Sequence, residues 1–276
     1  MVLESILSPL QVEKRPWEMF FIGALYCSAA IFLAYWIFGD KSSFIMVFFT
    51  VIASIPIIYN TLKYEESKDL KISNDKKLQF EHLRAVLIFS FYFGGVALAS
   101  VLWYLVLPAQ MVESLFVQQL STIVDINNQV SGNITGFAAS SSILFKIFFN
   151  NLKVLIFCIL FAFIYGAGAI FILTWNASVI AAAIGQWIKS HIPILGPMVA
   201  IPVGLSKYLL HGIPEVIAYF YGGIAGGIIS VAIIKNHFST NKADVLLMDI
   251  GELILIGIGF LVVAAILEVY VSPVLF

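Results

Sequence analysis

The sequence predicts an all-α fold, a polytopic transmembrane helical bundle of six spans plus a re-entrant helical hairpin. Three observations predict it. The 276 residues are 61% apolar and 11% charged, against about 45–50% and about 25% in soluble domains. The mean hydropathy is +1.00. Four runs, Met19–Phe38, Ser43–Leu62, Ala85–Leu107 and Val154–Trp175, carry no charge. Each provides the roughly 20 residues that a helix needs to cross a hydrocarbon core of about 30 Å.

Other classes are excluded by the same composition. A net charge of -1 leaves no basic face for nucleic acid. Disorder requires far fewer apolar residues. The apolar runs do not alternate with period two, so a β-barrel is excluded. Cys27 and Cys158 lie inside apolar runs and read as small hydrophobes. The run from Met19 lacks a small-residue exit, so it reads as a span and not a cleaved signal.

The spans follow in order. Asp40 and Lys41 mark the turn between the first two, and Pro56 predicts a kink in the second. Residues 61–84 hold Lys63, Lys68, Lys71, Lys76, Lys77 and Arg84. Basic residues near span ends are retained in the cytoplasm. The N-terminus and residues 61–84 are therefore expected there, with the chain in the cell membrane. Residues 1–84 read as an N-terminal transmembrane hairpin with its cytoplasmic linker, and 85–276 as a second transmembrane domain. Pro108–Lys153 is then expected outside, where Val112, Leu115, Phe116, Gln119, Leu120, Ile123 and Val124 follow helical spacing. Asn150 and Asn151 precede the fourth run and are candidate caps. Asn176 ends that run as a candidate C-cap.

Between Asn176 and Ser206 lie two apolar stretches, Ala177–Ile188 and Ile192–Ser206, the second interrupted by Pro193, Pro197 and Pro202. Neither reaches the roughly 17 residues of the shortest spans. A re-entrant hairpin with Lys189 and His191 at its tip is predicted, with the C-terminus inside. If one piece crosses instead, there are seven spans and the C-terminus lies outside.

The last two spans, Tyr208–Ile234 and Val245–Val271, carry ionisable groups. The first has His211 and Glu215; the second has Asp249, Glu252 and Glu268. His211 and Glu215 are four apart and share a helical face. A charge at the bilayer centre costs at least about 2.5–3.5 kcal/mol, and less near the boundary, where the hairpin arrangement puts His211. Pro214 leaves the Leu210 carbonyl without a donor. An intramembrane polar cluster of Asn176, His211 and Glu215 is the candidate site. Gly222, Gly223, Gly226 and Gly227 form two overlapping Gly-x-x-x-Gly spacings, which thin one helix face for close packing. Gly166 and Gly168 offer a second thin surface as its partner. His211 and Glu215 are too few for a metal site, and no strand precedes the glycines as a dinucleotide site requires. No histidine is placed near Ser140–Ser142 to activate a nucleophile. No catalytic residue, metal or cofactor is expected.

These residues resemble a known family. Phe148-Phe149-Asn150-Asn151, Gly166-Ala167-Gly168, Asn176, His211-Gly212-Ile213-Pro214-Glu215, Gly222–Gly227 and Glu268-Val269-Tyr270-Val271-Ser272-Pro273 are similar to the stage II sporulation protein M family, over residues 85–276. Two features depart from its pattern: Ala177 follows Asn176 where the family commonly has glycine, and the hairpin Met19–Leu62 is additional. The resemblance implies an integral membrane protein. Members in spore-forming bacteria are implicated in holding cell-wall hydrolases at the membrane, and members without sporulation imply a wider role. The leading expectation is a non-enzymatic scaffold for membrane remodelling or envelope organisation. The alternative is a transporter or channel component using His211 and Glu215, and the third an intramembrane hydrolase. The expected partners are the lipid bilayer and a further copy or other membrane proteins, not nucleic acid.

Overall fold

The computed structural model describes residues 12, 14–69, 75–130, 137–165, 169–234 and 243–276. Among them there is no strand, as expected where the backbone must satisfy its own polar groups. Helix α1, Glu18–Phe38, ends in a 3-10 turn at Gly39–Lys41. Gly39 has φ +51°, a left-handed value that glycine reaches without strain. Helix α2, Ser42–Asp69, runs through Pro56. Helices α3, Asp75–Val106, and α4, Ala109–Val130, follow. Helix α5 is Phe137–Tyr165, α6 Ala169–Leu195 and α7 Pro197–Ile234. Helix α8, Ala243–Ile266, widens into a π-helical turn, Leu267–Val271, before the short α9, Ser272–Leu275. Among the described residues, six segments are long and apolar enough to cross a bilayer, and the first, Glu18–Ile57, holds α1 and the first part of α2.

The predicted all-α bundle is present, with two corrections. The run Val154–Trp175 is divided between α5, which ends at Tyr165, and α6, which starts at Ala169, and no charged residue in the run signals that division. Residues 137–153, expected outside, thus belong to a helix of membrane-spanning length. The hairpin in 176–206 turns at Gly196, where φ is +72° and Pro197 opens the next helix. Its arms are full-length and not half-length: α6 has 27 residues and α7 has 38. Prolines that read as interruptions sit within these helices, at Pro193, Pro202 and Pro214.

Paired contacts fix the helix directions. Cys27 Sγ lies 3.2 Å from Ser100 Oγ, and Trp103 Nε1 donates to Ser28 Oγ at 2.9 Å, so α1 and α3 run parallel. Phe93 meets Phe220 of α7, while Tyr104 meets Gly185, so α3 and α6 are parallel too. Gly204 faces Ile188, Gly212 faces Ile180 and Gly223 faces Ala169, so α7 returns antiparallel to α6. Gly257 of α8 approaches Ala218, and Ser272 approaches Lys207, so α8 reverses again. Helices α1 and α8 therefore point the same way. The start of α1 and the end of α8 lie at opposite ends of the bundle.

The amphipathic stripe is the helix α4, and it packs inward. Leu115, Phe116 and Gln119 are fully buried. Ser43 Oγ donates to Gln119 Oε1 at 2.8 Å, and Gln119 Nε2 donates to Ser178 Oγ at 3.2 Å. Ser114 also donates to Asp40 at 3.0 Å, holding α4 against the first turn. At the α6–α7 hairpin the basic groups find aromatic partners. Lys189 lies over the Tyr104 ring at 5.2 Å, Lys207 over Trp187 at 5.6 Å, and His191 stacks on Trp187 at 3.9 Å.

The closest helix crossing is α1 on α3. A Cβ on Gly95 would overlap the Phe20 carbonyl, and one on Gly23 the Tyr92 carbonyl. Gly95→Ala should lower the melting temperature in detergent, by an overpacking cost of about 1–3 kcal/mol. Gly94→Ala should not, since its Cβ meets only the Phe20 ring at 3.7 Å. Equal melting of the two variants would contradict this crossing.

Candidate functional site

The site begins with the approach of α7 to α5. Gly222 of α7 faces Leu155, and Gly226 faces the Ile159 carbonyl and Ala162. No side chain longer than hydrogen fits at either position without displacing the neighbour. Two turns earlier on α7, this approach sets Glu215 opposite Asn151, whose Nδ2 donates to Glu215 Oε1 at 2.5 Å. Both residues are buried, each 8% exposed.

His211 sits one turn before Glu215 on the same face. Its buried Nδ1 makes no well-formed hydrogen bond. Asn176 of α6 donates Nδ2 to the Ile172 carbonyl at 2.8 Å. Glu268 lies in the π-helical turn Leu267–Val271, a distortion that redirects side chains and recurs at functional sites. These groups line one cavity of about 710 Å³. Tyr219 and Ile180 form part of its apolar wall, and Ile126 of α4 another part. Asn150, Lys146 and Lys153 of α5 complete its polar lining. A volume between about 300 and 1,000 Å³ suits a small ligand.

The depth of the site differs from expectation. His211 is 14 residues after Pro197, and Glu215 is 19 residues before Ile234. At 1.5 Å per residue these are about 21 Å and about 28 Å. The pair is therefore near the middle of α7, in an arm that was expected to be short.

The structure brings Asn176, His211 and Glu215 together around the cavity. It does not use Asn150, Asn151 or Asn176 as caps, because each lies inside a helix. Of the glycines, Gly222 and Gly226 pack internally, Gly223 meets Ala169 Cβ at 3.4 Å, and Gly227 has nothing within 4 Å of an added Cβ. Gly166 and Gly168 lie outside the described residues. Sequence reasoning missed the part of Glu268, Lys146 and Lys153. A signal existed: residues 146, 150 and 153 follow the spacing of one helical face.

Ser142 lines the same cavity as His211, contrary to the expectation that no histidine reaches Ser140–Ser142. Yet no hydrogen bond joins the two among the described residues, and a nucleophile needs its base within such reach. Among the described residues, no group of three or more His, Cys, Asp or Glu is spaced to hold a metal ion. What the arrangement offers is a largely apolar cavity with polar and charged side chains set in its wall, a binding chemistry.

The Asn151–Glu215 bond is testable by itself. Asn151→Leu strands a buried carboxyl group and should cost about 1–3 kcal/mol in detergent melts. Combining it with Glu215→Leu should cost less than the two single changes summed, by about 0.5–3 kcal/mol. Strict additivity would contradict the contact.

A family model described as Stage II sporulation protein M matches residues 85–273. That range includes every residue named above as lining the cavity. No curated protein and no solved structure matches the chain.

Proposed function

Because this multi-pass integral membrane chain belongs to the Stage II sporulation protein M family, we propose from its site that it binds a small polar solute or ion within the bundle. In this reading it works as a component of a transporter or channel and not as an enzyme. The observation that carries the reading is the cavity of about 710 Å³ holding Glu215, His211 and Asn176 at mid-helix depth. Polar side chains that only join helices pair directly across them. Glu215 does so through one oxygen with Asn151, yet its neighbours open onto a ligand-sized space. Pro214 lies within α7 beside that space, and α8 passes into a π-helical turn at Glu268, a distortion that recurs at functional sites. The protein is proposed to reside in the cell membrane with its N-terminus and residues 61–84 in the cytoplasm.

Purified protein in liposomes should conduct or exchange at least one solute in a panel of inorganic ions, amines, amino acids and sugars. Glu215→Gln, which keeps an acceptor for Asn151, should lower that flux at least tenfold. Flux that ignores Glu215→Gln, or no flux across the panel, would contradict the reading.

A second reading has its own observation. Gly227 lies on the glycine-rich part of α7 with open space before it. Such a thin surface suits a helix of another copy or another membrane protein. A non-enzymatic scaffold for membrane remodelling or envelope organisation would use that surface. Gly227→Leu should then reduce oligomer size in detergent while leaving the melting temperature unchanged. Gly226→Leu should destabilise the fold itself, because the Ile159 carbonyl blocks it. An unchanged oligomer in Gly227→Leu would remove this second reading.

A further inference from the structure

The cavity has two electrical ends. Glu215 is buried, and Glu268 is half-buried beside it in the wall. Lys146 and Lys153 line the same cavity from the exposed side of α5. The acids are thus inner and the ammonium groups outer, two of each. Lys153 lies 16 residues after Phe137 and 12 before Tyr165, near the middle of a helix of membrane-spanning length. A lysine there is costly unless an anion or water meets it, and its stem is too short to reach either helix end. Among the described residues, Lys153 has no ion-pair partner.

Resting on the binding reading above, we propose that the cavity receives a zwitterion: its ammonium group goes inward to Glu215 and Glu268, and its acidic group stays outward at Lys146 and Lys153. A simple cation would meet two lysines on its way in and leave Lys153 without an anion. A simple anion would face two carboxyl groups at the inner wall. Only a ligand carrying both signs satisfies both ends, and charge pairs in a site of low dielectric are strong enough to select it. Phe145 and Phe149, about half exposed, flank the lysines and give an apolar surface to whatever the ligand carries outward. Two sources share this chemistry. One is a free amino acid. The other is an ethanolamine-type lipid headgroup, whose ammonium lies beyond its phosphate and whose chains would run outward along α5.

The test uses the full chain in two arms. In detergent, calorimetry compares L-amino acids with ethylamine and acetate, which each carry one charge. In nanodiscs, native mass spectrometry compares retention of phosphatidylethanolamine with phosphatidylglycerol and phosphatidylcholine. The zwitterion should bind at least tenfold tighter than either half in one arm, and that arm identifies the source. Lys153→Gln and Glu268→Gln should each weaken it at least tenfold, and Lys153→Arg should restore it. Melting temperatures of the three variants near the wild-type value confirm folding. If ethylamine or an inorganic cation binds as tightly and Lys153→Gln changes nothing, the zwitterion proposal falls while the polar-solute reading stands. If amino acids, lipids, ethylamine and inorganic cations all fail to bind, both fall.

Discussion

The approach of α7 to α5 is the constraint on which the site depends. Gly222 and Gly226 let the two backbones come close, and the resulting register places Glu215 against Asn151. With α5 and α7 parallel and α6 antiparallel to α7, a third wall carrying Asn176 closes on the same level. The return of α8 brings Glu268 alongside, displaced into position by a π-helical turn. Small residues, which contribute almost nothing to hydropathy, thereby determine where the few ionisable groups meet.

The rest of the bundle shows what polar groups do when they serve only packing. Ser43, Gln119 and Ser178 link α2, α4 and α6 in one chain of hydrogen bonds. Tyr92 is held by Ser54, and Cys27 by Ser100, with no intervening space. Buried polar atoms without a bond exist elsewhere, at Tyr26, Ser42 and Thr174. Among the described residues, only at His211 does such an atom belong to a residue lining the cavity. Lipid offers no hydrogen bonds, so an interior polar group needs a protein partner, water or a ligand. The cavity differs from its surroundings in having room for the last two.

Much of this was legible in the sequence, and the failures have physical reasons. Charge-free runs revealed the helices because lipid selects directly for apolar length. His211 and Glu215 stood out because an ionisable pair in such a run is costly, and the structure places both at the cavity. The end of α5 at Tyr165 was hidden because no charged residue marks it. That one omission moved Asn150 and Asn151 from mid-helix to a supposed cap. It also made α6 look half-length. Gly196-Pro197 was the readable sign of the hairpin turn, a glycine stop followed by a proline start, but hydropathy offered no way to see how far each arm ran. Glu268 gave no sign of its place because it lies near the end of its run. Only the pairing of Ser272 with Lys207 shows that this end returns to the level of the site. On the glycine-rich part of α7, Gly222 and Gly226 face α5 closely, while Gly227 has open space before it.

The central claim is that Glu215 faces a space that water and solutes can enter. Thiol chemistry tests it directly, since both native cysteines, Cys27 and Cys158, are buried. Glu215→Cys in a background with both native cysteines replaced by alanine should react in lipid vesicles with a small, charged, water-soluble thiosulfonate. Cys158 of the native chain, on the neighbouring α5 and fully enclosed, provides the unreactive reference. Rapid modification at position 215 is the result the cavity predicts. A folded variant as inert as Cys158 would mean that the cluster is dry packing, and the account of a binding site would be wrong.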